Sequence, residues 1–197
     1  MIEQNKKVIV IAGPTGSGES TITNKIIEKY PNYTRLVTAT TRQPRLKEKQ
    51  AVDYYFFSKE IFLQEIKKGN IIEYTYVKNR DVYYGSYKLD LEEKFKKGLT
   101  VVVNPDIVGT KYYKKYYNAV TIFIKPQSIN DLTGRLKKRD PSISKEELKN
   151  RIEDAKREIE EEEQFYDYIV INHENKLDEA ILEVENIITK KRAKKTG

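Results

Sequence analysis

The sequence predicts a three-layer α/β/α fold with a central parallel sheet, and three observations carry that prediction. Apolar, β-branched runs recur between amphipathic stretches of helical period. The most uniformly apolar of these, at 7–12, 100–103, 119–124 and 168–172, have the composition of strands buried on both faces. The first of them runs straight into a glycine-rich turn and then a helical stretch, a strand–loop–helix unit. Alternation of this kind implies parallel pairing, because each crossover leaves room for a helix on a face of the sheet.

Taken in order, strands are expected at 7–12, 34–39, 70–75, 100–103, 119–124 and 168–172. Helices are expected at 20–29, 59–68, 87–97, 106–117, 128–138, 144–164 and 175–190. Ser144 precedes Glu147 by three residues, the spacing of a capping box that opens the long helix. Residues 40–86 are dense in Arg, Tyr, Asp and Glu, with Pro44 marking a turn, and read as an inserted lobe with mixed strands. Residues 139–145 form a polar hinge between two helices and suggest a lid at about 139–150. The organisation expected is one domain over 1–197, with its core at 7–39 and 87–190, the lobe at about 40–86 and a basic tail at 190–197.

Composition narrows the chemistry. A chain of 197 residues is long enough for one substantial core. Cysteine is absent, which excludes disulfides, thiolate nucleophiles and cysteine metal sites, and the single histidine, His173, leaves little for histidine-based metal chemistry. No run approaches the roughly 20 apolar residues of a membrane span. The segment Met1-Ile2-Glu3-Gln4-Asn5-Lys6-Lys7 lacks the apolar region of a secretory signal, so a cytoplasmic setting without membrane partners is expected. The net charge of +7, from 37 Lys+Arg against 30 Asp+Glu, favours anionic ligands. Part of that excess lies in the tail at 190–195, read as a solubilising terminus, and no nucleic-acid partner is expected. Glu160 to Glu163 read as a solvated helix end, and the tyrosine-rich 112–117 as a helix seated on the sheet.

The glycine-rich turn is Gly13-Pro14-Thr15-Gly16-Ser17-Gly18-Glu19-Ser20-Thr21. Gly13, Gly18 and Ser20 fall on the fixed positions of the phosphate-binding pattern G-x-x-x-x-G-K-[ST]. Glycines let backbone N–H groups curl round a phosphate, and the following helix N-terminus adds partial positive charge. Ser20 is placed to hold Mg²⁺. Glu19, however, stands where the pattern has lysine. A charge pair about 4 Å apart is worth roughly 4 kcal/mol at an effective dielectric near 20, so exchanging attraction for repulsion costs on the order of 8 kcal/mol before screening. Three readings of Glu19 stand: a natural loss of activity, an artificial substitution, or a side chain turned to solvent while another cation substitutes.

Further along come Thr40-Thr41-Arg42-Gln43-Pro44-Arg45, Val52-Asp53-Tyr54-Tyr55-Phe56, Ile71-Ile72-Glu73-Tyr74 and Tyr83-Tyr84-Gly85-Ser86. Guanidinium forks match phosphate geometry, and tyrosine hydroxyls complete a phosphate cage. A buried carboxylate such as Glu73 can accept from a purine's N–H groups. In order and spacing these segments resemble the guanylate kinase family, whose T-T-R-x-P-R, D-Y-x-F, F-x-E-[WY] and Y-Y-G-[ST] motifs they match, from about residue 7 to residue 188.

That resemblance implies a P-loop NTPase fold and ATP-dependent, Mg²⁺-assisted phosphorylation of GMP or dGMP to the diphosphate. It implies that Arg42, Arg45, Tyr54 and Tyr84 hold the acceptor phosphate, and that Glu73, Ser86 and Thr38 hold the guanine edge, with Asp106 nearby. Gly13, Gly16, Gly18, Ser20, Thr21 and Asn172 would serve ATP, with Ser20 on the metal. Arg135 and Arg139 on the approach to the lid, and Arg151 on its return, would join Arg42 on the transferring phosphates. Asn104 replaces the first carboxylate of the family's D-x-D segment, a second departure after Glu19, and Pro105 between Asn104 and Asp106 is a third. The segment between Tyr74 and Tyr83 is about two residues longer than the family's. The partners implied are GMP or dGMP and ATP, for a monomer or homodimer. The competing reading is a catalytically inactive guanylate-kinase-like module that senses nucleotides or binds phosphopeptides, because both Glu19 and Asn104 subtract from the donor side.

Overall fold

The computed structural model describes residues 7–193. In chain order the elements are β1 (Val8–Ala12), α1 (Glu19–Lys29), β2 (Tyr33–Arg35), β3 (Ala39–Thr40), β4 (Tyr55–Phe56), α2 (Lys59–Lys67) and β5 (Ile71–Val77). Then follow β6 (Val82–Tyr87), α3 (Lys88–Lys96), β7 (Thr100–Val103), α4 (Ile107–Tyr117), β8 (Val120–Pro126), α5 (Ile129–Arg139), α6 (Lys145–Arg157), β9 (Tyr168–Asn172) and α7 (Leu177–Ala193). A five-stranded sheet takes the order β2-β7-β1-β8-β9 and a four-stranded one the order β4-β3-β6-β5. Among the described residues no helix is long and apolar enough to cross a membrane.

The chain divides into two compact units, and the division falls inside β1. The first unit holds residues 31–119 and the start of β1. In it β2 and β7 pair in parallel, Tyr33 opposite Thr100, and Val101 N–H donates to Lys7 C=O at 2.9 Å. Its mixed sheet pairs β3 with β4 in parallel, and β3 with β6 and β5 with β6 antiparallel. Ala39, Phe62 and Ile71 form the centre of a core packed by Tyr55, Phe57, Ile66, Tyr83 and Tyr87. Tyr113 of α4 is fully buried, which seats that tyrosine-rich helix on its unit.

The second unit holds residues 9–30 and the chain from 120 onward. Here β1, β8 and β9 pair in parallel, Ile9 opposite Val120 and Ile122 opposite Tyr168. These strands are almost wholly apolar, and their buried residues pack with Ile22 and Ile26 of α1 and Val184 of α7 in the apolar core. Leu132, Leu136 and Ala155 tie α5 to α6. The N-cap half of the expected capping box is present: Ser144 Oγ accepts from Glu147 N–H at 3.1 Å.

Three sequence expectations change. The strand expected at 34–39 is broken, because Leu36 N–H donates to Val102 C=O and Val37 N–H to the Asp90 carboxylate, after which Ala39–Thr40 joins the mixed sheet instead. The helix expected at 144–164 ends at Arg157 and passes into a π-helical turn at Glu158–Glu162 and a 3₁₀ turn at Glu163–Phe165. Glu158 and Glu162 lie four residues apart, where like charges oppose regular helix. Glu163 is instead held by Lys125 at 2.7 Å. The tail expected at 190–197 lies outside the described residues from 194 on, as do all its side chains from 190.

One polar knot holds the lower end of β8 to the turn before β9. Asp167 Oδ2 accepts from Thr121 N–H at 3.0 Å and from Thr121 Oγ1 at 3.1 Å, and Asp167 N–H donates to Thr121 Oγ1 at 2.9 Å. Thr121 is fully buried, so its hydroxyl has no water to fall back on. Thr121→Val keeps the shape and removes the hydroxyl, and it is expected to cost about 1–3 kcal/mol, read as a lowered denaturant midpoint at unchanged m-value.

Candidate active site

In the second unit the turn after β1 is shaped by contacts that leave no space for side chains. A Cβ on Gly13 would lie 2.3 Å from Ile124 C=O and 2.8 Å from Ser17 Oγ. Gly18 adopts φ 101° and caps α1, whose first N–H groups receive no side-chain cap. A Cβ there would meet Asn172 Nδ2 at 2.5 Å, because the Asn172 amide donates to Ser17 C=O at 2.7 Å across the back of the loop. Arg135 reinforces this seam: its guanidinium donates to Ser17 C=O at 3.3 Å and Asn172 C=O at 2.9 Å, and pairs with Glu174 at 3.2 Å. The turn thus leads into the uncapped N-terminus of α1, the arrangement expected of an anion-binding loop. It opens on a cavity of about 330 Å³ lined by Gly16, Gly18, Glu19, Ser20, Thr21, Arg135, Arg139 and Asn172, with His173 to Asn175 on the rim.

Glu19 turns into this loop and not away from it. Ser17 Oγ donates to Glu19 Oε2 at 3.1 Å and Ser20 Oγ to Glu19 Oε1 at 3.0 Å. The hydroxyl expected to hold Mg²⁺ is thus bonded to a carboxylate of its own loop. Nearby, burial, then Glu162 and Asp154, and more weakly Glu19, push the Glu158 carboxyl up to about 7. The cradle's shape fits a polyphosphate; the side chain at 19 does not. Among the described residues no group of three or more His, Cys, Asp or Glu could hold a metal ion.

The first unit carries a cavity of about 260 Å³ lined by Thr38, Tyr54, Glu73, Thr75, Val77, Tyr84, Gly85, Ser86 and the turn 103–106. Strand alternation places Glu73, Thr75 and Val77 of β5 on one face, with Tyr84 and Ser86 of β6 beside them. Ser86 Oγ donates to Glu73 Oε1 in a short hydrogen bond. Burial pushes the Glu73 carboxyl up to about 7, the Ser86 hydrogen bond opposes that rise, and the neighbouring Asp106 adds to it. Asp106 itself caps α4, accepting from Gly109 N–H at 3.0 Å. Gly109 must be glycine for this packing: its Cβ would lie 2.6 Å from Pro105 Cβ and 3.0 Å from Glu73 Oε2.

Beside that cavity Arg42 lies over the rings of Tyr54 and Phe56, 5.5 and 5.8 Å from their centroids. Its guanidinium makes a two-pronged pair with Glu48, both contacts 2.9 Å, and donates to Gln43 C=O at 2.7 Å. Arg45 is exposed, and its backbone N–H, not its guanidinium, bonds Glu48. The two arginines therefore do not converge in this structure; Glu48 occupies the fork that the sequence resemblance assigned to a phosphate. Arg151 likewise pairs with Glu147 at 2.8 Å, one turn away on α6. Sequence reasoning missed Ser17, Glu48, Thr75 and Gly109. Thr75 alone left a signal, its i, i+2 spacing from Glu73 on a strand.

With this geometry in hand, comparison with known proteins places the chain. A family model described as guanylate kinase matches residues 5–191. A guanylate kinase of the Wolbachia of Brugia malayi is 31% identical over 198 residues, covering 100% of this chain and 98% of that one. One from Porphyromonas gingivalis is 38% identical over 156 residues, covering 78% and 82%. The crystal structure of guanylate kinase from Anaplasma phagocytophilum superimposes with a TM-score of 0.72 at 29% identity, over 94% of this chain and 85% of that one. The fold is P-loop NTPase-like, and this chain belongs to the guanylate kinase family.

A carboxyl raised from 4.5 to about 7 by burial is held protonated by the fold. Its contribution to stability is complete below the unfolded value and is lost as pH rises through about 7. Glu73→Gln keeps a neutral group at that position. The variant is expected to lose less stability than the parent chain between about pH 4.5 and 7, measured by denaturant unfolding across that range, with Glu158 supplying the remaining slope.

Proposed function

We propose that this chain binds GMP or dGMP in the cavity of its first unit and transfers a phosphoryl group to it from ATP, giving GDP or dGDP, with the transfer slowed by Glu19. The observation that carries this reading is the Glu73–Ser86 pair with Tyr54 and Tyr84 around one cavity, and Arg42 lying over the Tyr54 ring. Guanine presents adjacent N–H donors, and an ionised Glu73 accepts from both. Ser86 fixes the carboxylate, and Thr38 lines the same pocket. Arg42, joined by Arg45 once Glu48 is displaced, offers guanidinium donors to the phosphate, while Tyr54 and Tyr84 add hydroxyls. Phosphoryl transfer asks for positioning and charge stabilisation more than covalent chemistry, which suits a site built from arginines and hydroxyls.

The donor half is the weak half. ATP and Mg²⁺ are what the family uses, yet here Glu19 bonds the Ser20 hydroxyl and places negative charge inside the cradle. The same observation favours the second reading, a nucleotide-sensing or phosphopeptide-binding module that binds without turnover. One comparison separates the two: ADP release with GMP, and calorimetric GMP binding, for this chain and for Glu19→Lys. The variant is expected to gain at least about 100-fold in kcat with a GMP Kd within about twofold of the parent. Turnover by neither protein, with GMP bound by both, assigns the chain to the second reading.

A phosphate reaching Arg42 must displace the Glu48 carboxylate. Glu48→Gln removes that competitor while keeping the side chain's shape, and it is expected to tighten GMP binding by up to about fivefold by calorimetry. An unchanged or weakened Kd would mean that Glu48 orients Arg42 for the ligand and does not compete with it.

A further inference from the structure

We infer that Thr75 is a specificity-determining residue of the acceptor site, its hydroxyl donating to N7 of the purine whose N–H edge Glu73 accepts. The inference rests on the acceptor reading above. Thr75 Oγ1 is sealed from solvent and has no hydrogen-bond partner among the described residues. A threonine hydroxyl carries one donor and two acceptor positions, and buried ones are normally satisfied. Several neighbouring polar groups are engaged with one another: Ser86 Oγ on Glu73, Asp106 on Gly109 N–H. Thr75 lies in the lining of a ligand-sized cavity.

Register says which part of a ligand it meets. Thr75 lies directly opposite Tyr84 in the β5–β6 ladder, and Glu73, two residues earlier in the irregular stretch between Ile71 and Tyr74, lines the same cavity. Successive residues on one strand face lie about 7 Å apart. A purine whose N1 and N2 protons sit on Glu73 has its O6 close to that same carboxyl and its N7 farther along, toward the Thr75–Tyr84 rung. Tyr84, on that rung, is the residue read as holding the phosphate, so Thr75 falls between the base contact and the phosphate contact. No hydrogen bond pins its present rotamer, and rotation about χ1 exchanges the positions of the hydroxyl and the methyl group. A ligand acceptor is what the oxygen lacks.

Removal of the hydroxyl separates this role from a structural one. An unsatisfied buried hydroxyl opposes folding, so Thr75→Val is expected to leave the thermal midpoint of the ligand-free protein unchanged or raised. The same variant is expected to bind GMP about tenfold more weakly by calorimetry, with Thr75→Ser within about twofold of the parent. The gap between parent and Thr75→Val should close with 7-deaza-GMP, whose C7–H accepts no hydrogen bond. Equal GMP affinity for parent and Thr75→Val overturns the inference, as does a gap that persists in full with 7-deaza-GMP, or an affinity loss matched by a lowered midpoint. A folded parent chain that binds no GMP instead overturns the acceptor reading itself, so the two failures are told apart by the parent protein alone.

Discussion

A Cβ on Gly13 would stand 2.3 Å from the Ile124 carbonyl oxygen, one on Gly18 would stand 2.5 Å from the Asn172 amide, and one on Gly109 would touch both Pro105 and Glu73. Each binding region of this protein depends on backbone approaching nearer than any side chain allows. In the second unit that closeness wraps the loop against β8 and lets Asn172 clasp Ser17 from behind, with Arg135 closing the seam over both carbonyls. In the first it lets α4 press its N-terminal turn onto Glu73, which is why that carboxyl is desolvated and its protonation raised to about 7. The sites are therefore consequences of packing, and the polar chemistry is laid over it.

That chemistry has a common theme. Several of the cations and hydroxyls read as phosphate contacts already meet a carboxylate of this chain: Glu48 on Arg42, Glu174 on Arg135, Glu147 on Arg151, and Glu19 on Ser17 and Ser20. The arginine pairs are partly solvated, and pairs of that kind are worth about 1 kcal/mol or less, so an anionic ligand exchanges with them readily. Glu19 differs. It belongs to the loop itself, and it adds to a neighbourhood where Glu158 is already held partly protonated by burial and adjacent acids. On the reading proposed above, the difference between the acceptor and donor sides turns on this one position.

Legibility in the sequence varied with how local the cause was. The strands at 100–103 and 168–172 keep the bounds expected of them, but only the first is buried throughout; β9 ends its sheet and exposes Ile169 and Ile171, against the expectation of a strand buried on both faces. Helix starts at Ser58, Ser128, Ser144 and Asp106 are likewise written locally, as side chains that accept from the first turn. By contrast β6 carries Val82, Tyr83, Tyr84 and Tyr87 but is interrupted by Gly85 and Ser86, and its place between β3 and β5 is not written in the segment itself. The run at 34–39 looks continuous in sequence but is cut by the Asp90 carboxylate, 53 residues away along the chain.

Fold class, family and the residue types near each cavity are legible in periodicity and motif spacing, because these are properties of neighbouring residues. What each of those residues touches is set by tertiary packing. It turned Glu19 inward onto two serines, set Arg42 on Glu48 instead of Arg45's side, and left the Thr75 hydroxyl without a partner beside Glu73. The physical reason is that hydrogen bonds and ion pairs are settled by competition among all groups within about 3 Å, and those groups come from segments far apart in the chain.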